Sequence, residues 1–406
     1  MHNIANKDKC KGIIEKNLIE RINCNDKYIK VEKEEYIDKC KIVHAKSITK
    51  STTCSCCNKQ IKRFKGYRSK RILLGEVNRK LLKINLKQKM YYCEDCNCCT
   101  VEQIMVDKYR RRSKEVTNNM IEMLIEKSNY SCIARLHGVS RQTVINWFDD
   151  YELDKPDKND LRVIGIDEVN FMKTDKSKYQ CIIYNHETGE VADIIKTRFK
   201  DDILNVLKDI APNLETITQD CWATYKNVAK EINPNALVVL DLFHIVRYVN
   251  WDYNKGRKII AEITNIKTVK YWRLLCKNSS KLDDKGREKV KSIIENQKEL
   301  AILYRAKEIG YSAFTSTCQK EFLKKVYRFL KYLEENNITS YFSRLLSVLN
   351  NWSEEVLNIY KYREFSNGKI EQANSKMKDL KRNARGFRNF ERSKKLALLV
   401  INNKVA

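Results

Sequence analysis

Long apolar runs are missing from this chain of 406 residues. The longest is the six-residue run from Leu396 to Ile401, which is too short to span a bilayer. The first residues, MHNIANKDKCKGIIEKN, also lack the continuous apolar stretch of a signal peptide. We therefore expect a cytoplasmic protein that has no membrane partner.

Proline is rare as well, with three residues at positions 156, 212 and 234. None follows Pro234, and residues 245–365 carry a helical period of apolar residues throughout. The sequence therefore predicts a long all-helical block. From residue 161 up to this block, the order of patterns is strand, strand, strand, helix, strand, helix, strand and helix, which predicts an α/β layered sheet.

Acidic residues are outnumbered, because 52 Asp and Glu stand against 79 Lys and Arg, for a formal net charge of +27. Lysine and arginine bind a phosphate backbone favourably because they release its condensed counterions. An excess this large indicates a polyanionic partner, and the missing apolar spans favour nucleic acid over a membrane. Hydrophobic residues make up 42% of the chain, which is enough to build several domains with cores of their own.

Fifteen cysteines are present in a chain that shows no signal peptide, so we expect reduced thiols and metal ligation rather than disulfides. Two C-x2-C pairs, Cys54 with Cys57 and Cys93 with Cys96, could bring four thiolates together in a closed structural zinc site. Zinc binding would help to fold a small β-rich module. Three further cysteines nearby leave the choice of ligands open: Cys56, Cys98 and Cys99.

Residues 131–148, SCIARLHGVSRQTVINWF, have the pattern of a helix-turn-helix unit, with Gly138 at the turn and Ser140 as the N-cap of the second helix. The second helix of such units enters the major groove, where its first polar residues contact bases and phosphates. The candidate contacts are Arg141, Gln142, Thr143 and Asn146. A helical hairpin in a bundle has similar spacing, but the charge of the chain and the preceding YRRRSK run favour DNA binding.

Two aspartates stand at the ends of predicted strands: Asp167 ends the first strand of the α/β region and Asp220 the fourth. Strands in this order lie side by side, so we expect the two carboxylates to meet. Two Mg²⁺ ions about 4 Å apart need a third acid from another element, and Glu371 on a late helix could supply it. Glu168 is a rival of Asp167, but adjacent strand residues point to opposite faces.

The segment after Glu371 is strongly basic, with nine Lys or Arg among residues 376–395. Lys378 lies two helical turns after Glu371 and shares its face. We expect a DNA-contacting helix that leads to the acidic site, although a solvated basic helix alone would have the same pattern. The candidate contacts are Lys378, Lys381, Arg382 and Arg385. Asp241 and His244, after the fifth strand, could tie that strand to the next helix or orient the site residues.

Four phrases of the sequence resemble the ISL-three family of bacterial insertion-sequence transposases: IGIDEV, TQDCWATY, LDLFHIVRYVN and SNGKIEQANSKMKDLKRNARGFRNF. The paired C-x2-C motifs and the helix-turn-helix precede them in the order that such enzymes use. The resemblance implies a multidomain α/β chain. Its ribonuclease-H-like mixed sheet would carry a large all-helical insertion and would follow a small β-rich zinc-binding module and a helix-turn-helix domain.

The resemblance also implies a function. Such a transposase would bind the terminal inverted repeats of its element, then cleave and transfer DNA strands with two Mg²⁺ or Mn²⁺ ions held by Asp167, Asp220 and Glu371. Zn²⁺ would be structural, and Asp241 with His244 looks like the (C/D)-x2-H signature of related transposases. The implied partners are double-stranded DNA at the element ends and at the target, and further copies of the chain in a homodimer or larger assembly. Within the cell, it would associate with the bacterial nucleoid.

We divide the chain accordingly into an N-terminal β-leaning segment (1–49), a zinc-binding module (50–106), a helix-turn-helix domain (107–155), the first part of a catalytic domain (156–250), an all-helical insertion (251–362) and the last part of the catalytic domain with the glutamate helix (363–406). Two other functions fit the same residues. One is a transposase-derived DNA-binding regulator without catalytic activity, and the other is a metal-dependent nuclease that cleaves without strand transfer.

Overall fold

The computed structural model describes residues 28–402 apart from 78–79, 107–109, 127–128, 154–155, 173–176, 265–270, 296, 364, 366–367 and 385–386. The chain divides into two compact units, the first ending at Glu152 and the second beginning at Leu153. Both contain helices and strands, so the mixed α/β class predicted from the sequence is confirmed. No helix within the described ranges is long and apolar enough to cross a membrane.

A five-stranded sheet forms most of the first unit, in the order β1-β2-β6-β5 with β7 paired to β6. In β2 every second side chain is buried, because successive side chains of a strand point to opposite faces. The core on that face includes Ile72, Leu82 and Leu86. A small separate sheet pairs β3 with β4. The strands are β1 Ile29–Ile37, β2 Cys40–Ser47, β3 Thr52–Thr53, β4 Gln60–Ile61, β5 Arg63–Val77, β6 Lys80–Cys93 and β7 Cys98–Val101.

Three helices complete the first unit: α1 Lys114–Ile125, α2 Tyr130–His137 and α3 Arg141–Asp149. Gly138 ends α2 in the left-handed conformation, with φ of 60°. A Cβ atom at this position would also lie 2.7 Å from Cδ1 of Leu81, so glycine is favoured twice. The Ser140 side chain accepts a hydrogen bond from the Thr143 N–H and caps α3. The two helices and their turn therefore lie where the sequence predicts them.

A second five-stranded sheet organises the second unit, in the order β10-β9-β8-β11-β12. Its strands are β8 Val163–Val169, β9 Gln180–Asn185, β10 Glu190–Ile195, β11 Thr216–Gln219 and β12 Leu237–Leu240. β8, β11 and β12 run parallel to one another, whereas β9 pairs antiparallel with both β8 and β10. The predicted neighbours β8 and β11 are thus paired. Residues 185–189, whose turn residues between two β-rich runs predict a hairpin, join β9 to β10.

Helices cover both faces of this sheet. Ile164 and Ile217 pack in one core with α4 Lys200–Ile210 and α5 Ala223–Ile232. On the opposite face, Val169 and Ile182 pack in another core with α13 Gly368–Asn383 and α14 Phe390–Asn402. Residues of odd and even number along β8 therefore meet different helices.

A helical block lies between β12 and α13 in the sequence, as predicted. Its largest buried side chains include Tyr253, Phe329 and Phe342. Asn358 donates a hydrogen bond of 2.9 Å to the carbonyl oxygen of Val238, which ties the block to strand β12. The helices are α6 Leu242–Ile263, α7 Trp272–Cys276, α8 Asp284–Ile294, α9 Lys298–Phe314, α10 Gln319–Glu335, α11 Ser343–Asn351 and α12 Ser353–Lys361.

Candidate active site

Three aspartates stand in register at the carboxyl ends of three neighbouring parallel strands. Thr218 of β11 lies opposite Gly165 of β8, so Asp220 and Asp167, each two residues further on, continue the same register. Gln219 lies opposite Leu240 of β12, so Asp241 follows the same row. The fold therefore gathers carboxylates from three separate segments at one edge of the sheet.

Glycine at position 165 allows helix α13 to approach this edge. A Cβ atom there would lie 2.2 Å from Cδ1 of Ile370, far inside the contact distance of two carbon atoms. It would also lie 2.9 Å from the side chains of His186 and Thr218. Because Ile370 directly precedes Glu371 on α13, this close contact fixes where Glu371 meets the sheet.

Asn374 connects α13 directly to the aspartates. Its side-chain amide donates a hydrogen bond of 2.7 Å to Oδ2 of Asp167. The other oxygen, Oδ1, accepts the backbone N–H of Glu168 at 2.8 Å. Asn374 lies three residues after Glu371, so both residues project from the same side of the helix. Asp167 is consequently held in one orientation beside the glutamate helix.

Burial and mutual repulsion oppose ionisation in this cluster. Burial, followed by the charges of Asp167 and Glu168, raises the pKa of Asp220 to about 7. Burial also raises the pKa of Asp167, against the lowering effect of its hydrogen bond from Glu168. Oδ1 of Asp220 is buried without a hydrogen-bond partner among the described residues. Such a group would be stabilised by a cation, so these residues fit a site for Mg²⁺ or Mn²⁺.

Asp241 caps helix α6 and stands close to His244. One oxygen accepts the backbone N–H of Phe243 at 3.1 Å, and the other lies 3.6 Å from Nε2 of His244. Burial, with the charge of Glu371, raises the pKa of Asp241 to about 6. Burial lowers the pKa of His244. The two residues tie β12 to α6, one of the alternatives drawn from the sequence, and both lie within electrostatic reach of Glu371.

Glu168 points away from this row. Its two oxygens accept hydrogen bonds of 3.1 and 3.0 Å from Nη1 of Arg198. The Tyr225 hydroxyl lies 3.5 Å from the same carboxylate, on the face covered by α5. Glu168 and Asp167 thus have separate partners on opposite faces of β8.

Glu371 lies at the first turn of α13 with an exposed side chain. Among the described residues, the only group of possible metal ligands within 4.8 Å of one another is the set of cysteine sulfurs in the first unit. The carboxylates of Asp167, Asp220 and Glu371 are therefore spaced more widely than these sulfurs.

Further along α13, Lys378 is exposed, whereas Lys381 donates hydrogen bonds of 3.0 Å to the backbone and side chain of Asn170. Arg382 is paired with Asp379 at 2.5 Å. Arg385 lies outside the described residues.

In the first unit, the sulfurs of Cys54, Cys57, Cys93 and Cys96 lie within 4.8 Å of one another. An asparagine with positive φ follows each C-x2-C pair, Asn58 at 56° and Asn97 at 51°, a conformation that asparagine tolerates better than most residues. Backbone N–H groups of Cys57 and Cys56 lower the pKa of Cys54 to about 5, which favours the thiolate. The donor set suits zinc.

Cys98 is close to this quartet, because its sulfur lies 3.4 Å from those of both Cys54 and Cys96. The other two extra cysteines point elsewhere. Cys56 is exposed, and exposed Cys99 accepts a hydrogen bond of 3.0 Å from Lys65. Of the three cysteines that left the ligand set open, Cys98 is therefore the only one that approaches the cluster.

Helix α3 presents the polar residues that the sequence singles out. Arg141, Gln142 and Asn146 are exposed, and Gln142 donates a hydrogen bond of 2.8 Å to Asn146. Thr143 is half-buried and its hydroxyl lies 2.8 Å from that of Ser140. A groove beside this helix is lined by five basic residues and three acidic ones: Arg71, Lys83, Arg110, Arg111, Arg112, Asp149, Asp150 and Glu152.

Most of the second unit matches a known protein family. The model of the ISL-three family, described as a transposase, matches residues 164–396, which is more than half of the chain. The chain belongs to the ISL-three transposase family. No curated protein matches the sequence. Membership gives this ISL-three transposase a transposition activity in general terms, with DNA as its substrate.

The matched range of this ISL-three transposase includes the three aspartates and Glu371. It also includes two residues that sequence reasoning missed, Asn374 and Arg198, at the same end of the sheet as the acidic row of Asp167, Asp220 and Asp241. Asn374 could have been found, since it lies one helical turn after Glu371 and would share its face. Arg198 carried no signal, because its pairing with Glu168 depends on how the loop before α4 meets strand β8.

Proposed function

We propose that this ISL-three transposase binds the terminal inverted repeats of a bacterial insertion sequence and cleaves and transfers DNA strands through Asp167, Asp220 and Glu371. The observation that carries the proposal is the register of Asp167 and Asp220 on adjacent parallel strands, facing the helix that bears Glu371. Three antiparallel strands followed by two parallel ones is also the strand arrangement expected of a ribonuclease-H-like sheet, which supports assigning that fold.

The acidic row and Glu371 together would hold two Mg²⁺ or Mn²⁺ ions. Asp167, Asp220 and Glu371 would be the ligands, and the partnerless oxygen of Asp220 supports this assignment. When bound, the ions would lower the pKa of an attacking water and stabilise the leaving 3′-oxygen of the DNA. Asn374 would keep Asp167 in the ligating orientation through its hydrogen bond of 2.7 Å. Asp241 and His244 would support the site from the start of α6.

The basic residues would position DNA on this site. Exposed Lys378 shares a helix face with Glu371 and would contact a phosphate near the cleaved bond. Lys381 and Arg382 already have protein partners, so their binding to DNA would require exchange of those partners. In the first unit, α3 would enter the major groove through Arg141, Gln142, Thr143 and Asn146, and a zinc ion in the cysteine cluster would stabilise the β-rich module. Joining two DNA ends would require at least a dimer.

Cleavage of a plasmid tests the proposal. The plasmid would carry the DNA ends that flank the gene, and the native protein would be compared with Glu371→Gln in the presence of Mg²⁺. We expect breaks at the ends with the native protein, loss of the breaks in the variant, and unchanged binding to the ends. Transfer of the cut ends to a second DNA molecule would distinguish a transposase from a nuclease.

A DNA-binding regulator without catalytic activity is the second candidate, and the exposed position of Glu371 is the observation that favours it. Binding to the ends without breaks by the native protein would reject the catalytic proposal and support this alternative. Breaks of equal yield from the native protein and the Glu371→Gln variant would reject Glu371 as a metal ligand.

A further inference from the structure

The geometry points to a phosphate-binding position at Arg198, where the guanidinium would hold a phosphodiester at or next to the cleaved bond. The inference rests on the proposed function, since it names a further DNA contact beside the same acidic row. It assigns a role to Arg198 and, through it, to Glu168, neither of which belongs to the proposed set of metal ligands.

Arg198 is held in place on three sides. Its Nη1 atom donates to both oxygens of Glu168, at 3.1 and 3.0 Å. The centre of the guanidinium lies 4.8 Å from the ring of Trp222 and 5.4 Å from the ring of Tyr179. A guanidinium anchored in this way loses little additional freedom when it binds a ligand.

The same contacts leave one edge of the guanidinium available. Among the described residues, Nε and Nη2 of Arg198 have no hydrogen-bond partner, and the side chain is 34% exposed. The rings of Trp222 and Tyr179 are exposed as well. An ion pair with a purely structural role would not need exposed rings on the guanidinium, whereas two parallel N–H groups without a partner among the described residues match two oxygens of a phosphate.

Arg198 also lies at the correct end of the sheet. Its partner Glu168 follows Asp167 in β8, and Trp222 comes two residues after Asp220. β8 and β11 are neighbouring parallel strands, so Glu168 and Trp222 both lie at the carboxyl end of the sheet, where the acidic row stands. Arg198 pairs with Glu168 on the face of β8 opposite to Asp167, but it lies at the same end of the sheet. DNA that crosses this end of the sheet would therefore meet both the guanidinium and the acidic row.

The loop that carries Arg198 is anchored by hydrogen bonds of its neighbouring residues. Thr197 is buried, and its hydroxyl donates a hydrogen bond of 2.5 Å to Asp202 on α4. The backbone N–H of Phe199, the N-cap residue of α4, donates to the same hydroxyl at 3.2 Å. These contacts on either side of Arg198 fix its backbone, so the side chain starts from a rigid position.

The test removes the charge from one DNA phosphate at a time. A duplex carrying the element end that flanks the gene is prepared with a single neutral methylphosphonate at successive positions around the cleavage site. Binding to the native protein, Arg198→Ala and Arg162→Ala is measured with Ca²⁺ in place of Mg²⁺. Arg162 is the matched control, because it is an exposed arginine paired with Glu187 at the opposite end of β8.

We expect one position at which the methylphosphonate weakens binding of the native protein by roughly 10- to 100-fold, the usual worth of a hydrogen bond to a charged group. For Arg198→Ala, the duplex modified at that position and the unmodified duplex should bind with affinities within about twofold of each other. Arg162→Ala should show the same loss of affinity as the native protein. Arg198→Lys should show an intermediate ratio, since an ammonium offers a point charge without the fork.

Two results would overturn the inference: a native protein that tolerates a methylphosphonate at every position, or an Arg198→Ala variant that keeps the native pattern of sensitivity. The Glu168→Gln variant provides a second test that retains Arg198, and it should reduce the sensitivity at the same position because it loosens the anchor. Cleavage with Mg²⁺ is scored separately, so a protein that shows the phosphate effect without cutting DNA would reject the proposed catalysis and retain the Arg198 contact.

Discussion

The cysteine cluster of the first unit and the acidic row of the second both gather side chains that repel one another when ionised, but they are assembled in opposite ways. The sulfurs of Cys57 and Cys93, 3.6 Å apart, come from two short turns, and the two cysteines are 36 positions apart in the sequence. The hydrogen bond between Asn374 and Asp167 joins residues 207 positions apart, on a helix and a strand with extensive cores on both sides.

This difference predicts what each cluster does for stability. Few apolar residues surround the cysteines, with Ile61 and Tyr91 the main ones, so the metal would supply much of the energy that folds this region. The acidic row lies on a sheet that is already stabilised by its two cores. We infer that a bound metal would hold the fold around the cysteines, whereas the fold itself holds the acids at the edge of the sheet.

The largest effect should come from Cys93→Ser. The free energy with which zinc-finger peptides bind structural zinc is about 10–16 kcal/mol, so the loss of one thiolate ligand should unfold the strands beside the cysteines, β3, β4 and β7. Zinc content should fall, and hydrogen exchange should accelerate in these strands while β8 and β11 remain protected. The exposed Cys56 provides the control, and Cys56→Ser should retain its zinc. Equal protection of β3, β4 and β7 in Cys93→Ser and the native protein would contradict the comparison.

Cys98→Ser would sharpen the same comparison. The sulfur of Cys98 lies 3.4 Å from two members of the quartet, so a loss of zinc similar to that of Cys93→Ser would make Cys98 a ligand. Full zinc content would leave the four cysteines of the two C-x2-C pairs as the ligand set.

Gly165→Val should have the next largest effect, and it acts on the second unit. The new side chain would overlap Ile370, because even a Cβ atom would lie 2.2 Å from its Cδ1 atom. We expect a loss of about 3 kcal/mol in the free energy of unfolding, at the upper end for overpacked cores. Thermal unfolding measures the loss, and the double variant with Ile370→Ala should recover part of it. Gly66→Ala is a control, because its Cβ atom would have no contact closer than 3.9 Å.

Sequence patterns predicted the parts of this fold that depend on local order. The buried-strand pattern of LRVIGIDEV predicted strand β8, and the turn residues from Asn185 to Gly189 predicted the β9–β10 hairpin, where Gly189 has φ of 78°. The order of strands and helices then predicted that β8 and β11 are neighbours. Paired C-x2-C turns similarly indicated a metal site, because each turn brings its two ligands together locally.

Contacts between distant side chains could not be predicted in the same way. No pattern connects Glu168 with Arg198, Lys381 with Asn170, or Gly165 with Ile370, since each pair depends on how a helix or loop packs against the sheet. Lys381 shows the consequence, because the sequence assigned it to DNA as one member of a basic run. In the structure its ammonium group donates hydrogen bonds to Asn170, which directly follows β8.

The smallest of these effects should be a gain in stability, from Asp220→Asn. The pKa of Asp220 is raised from its ordinary value of 3.8 to about 7 in the folded protein. Protonation of this carboxyl therefore stabilises the folded protein relative to the unfolded chain. This contribution of the protonated Asp220 to stability is fully present below about pH 4 and is lost as the pH rises through about 7. Above that pH the native protein carries a penalty on the order of 2 kcal/mol, discounted for charge shared with neighbouring acids.

Thermal unfolding in the absence of divalent ions would measure this effect. The Asp220→Asn variant should melt at a higher temperature than the native protein near pH 8 and at nearly the same temperature near pH 4. Mg²⁺ should stabilise the native protein near pH 8 and stabilise the variant less. Asp209→Asn is the control, because Asp209 is exposed on α4 and paired with Lys158, so its removal should not produce a gain that grows with pH. If Asp220→Asn destabilised the protein near pH 8, the carboxylate would support the fold, and the contrast with the cysteine cluster would be lost.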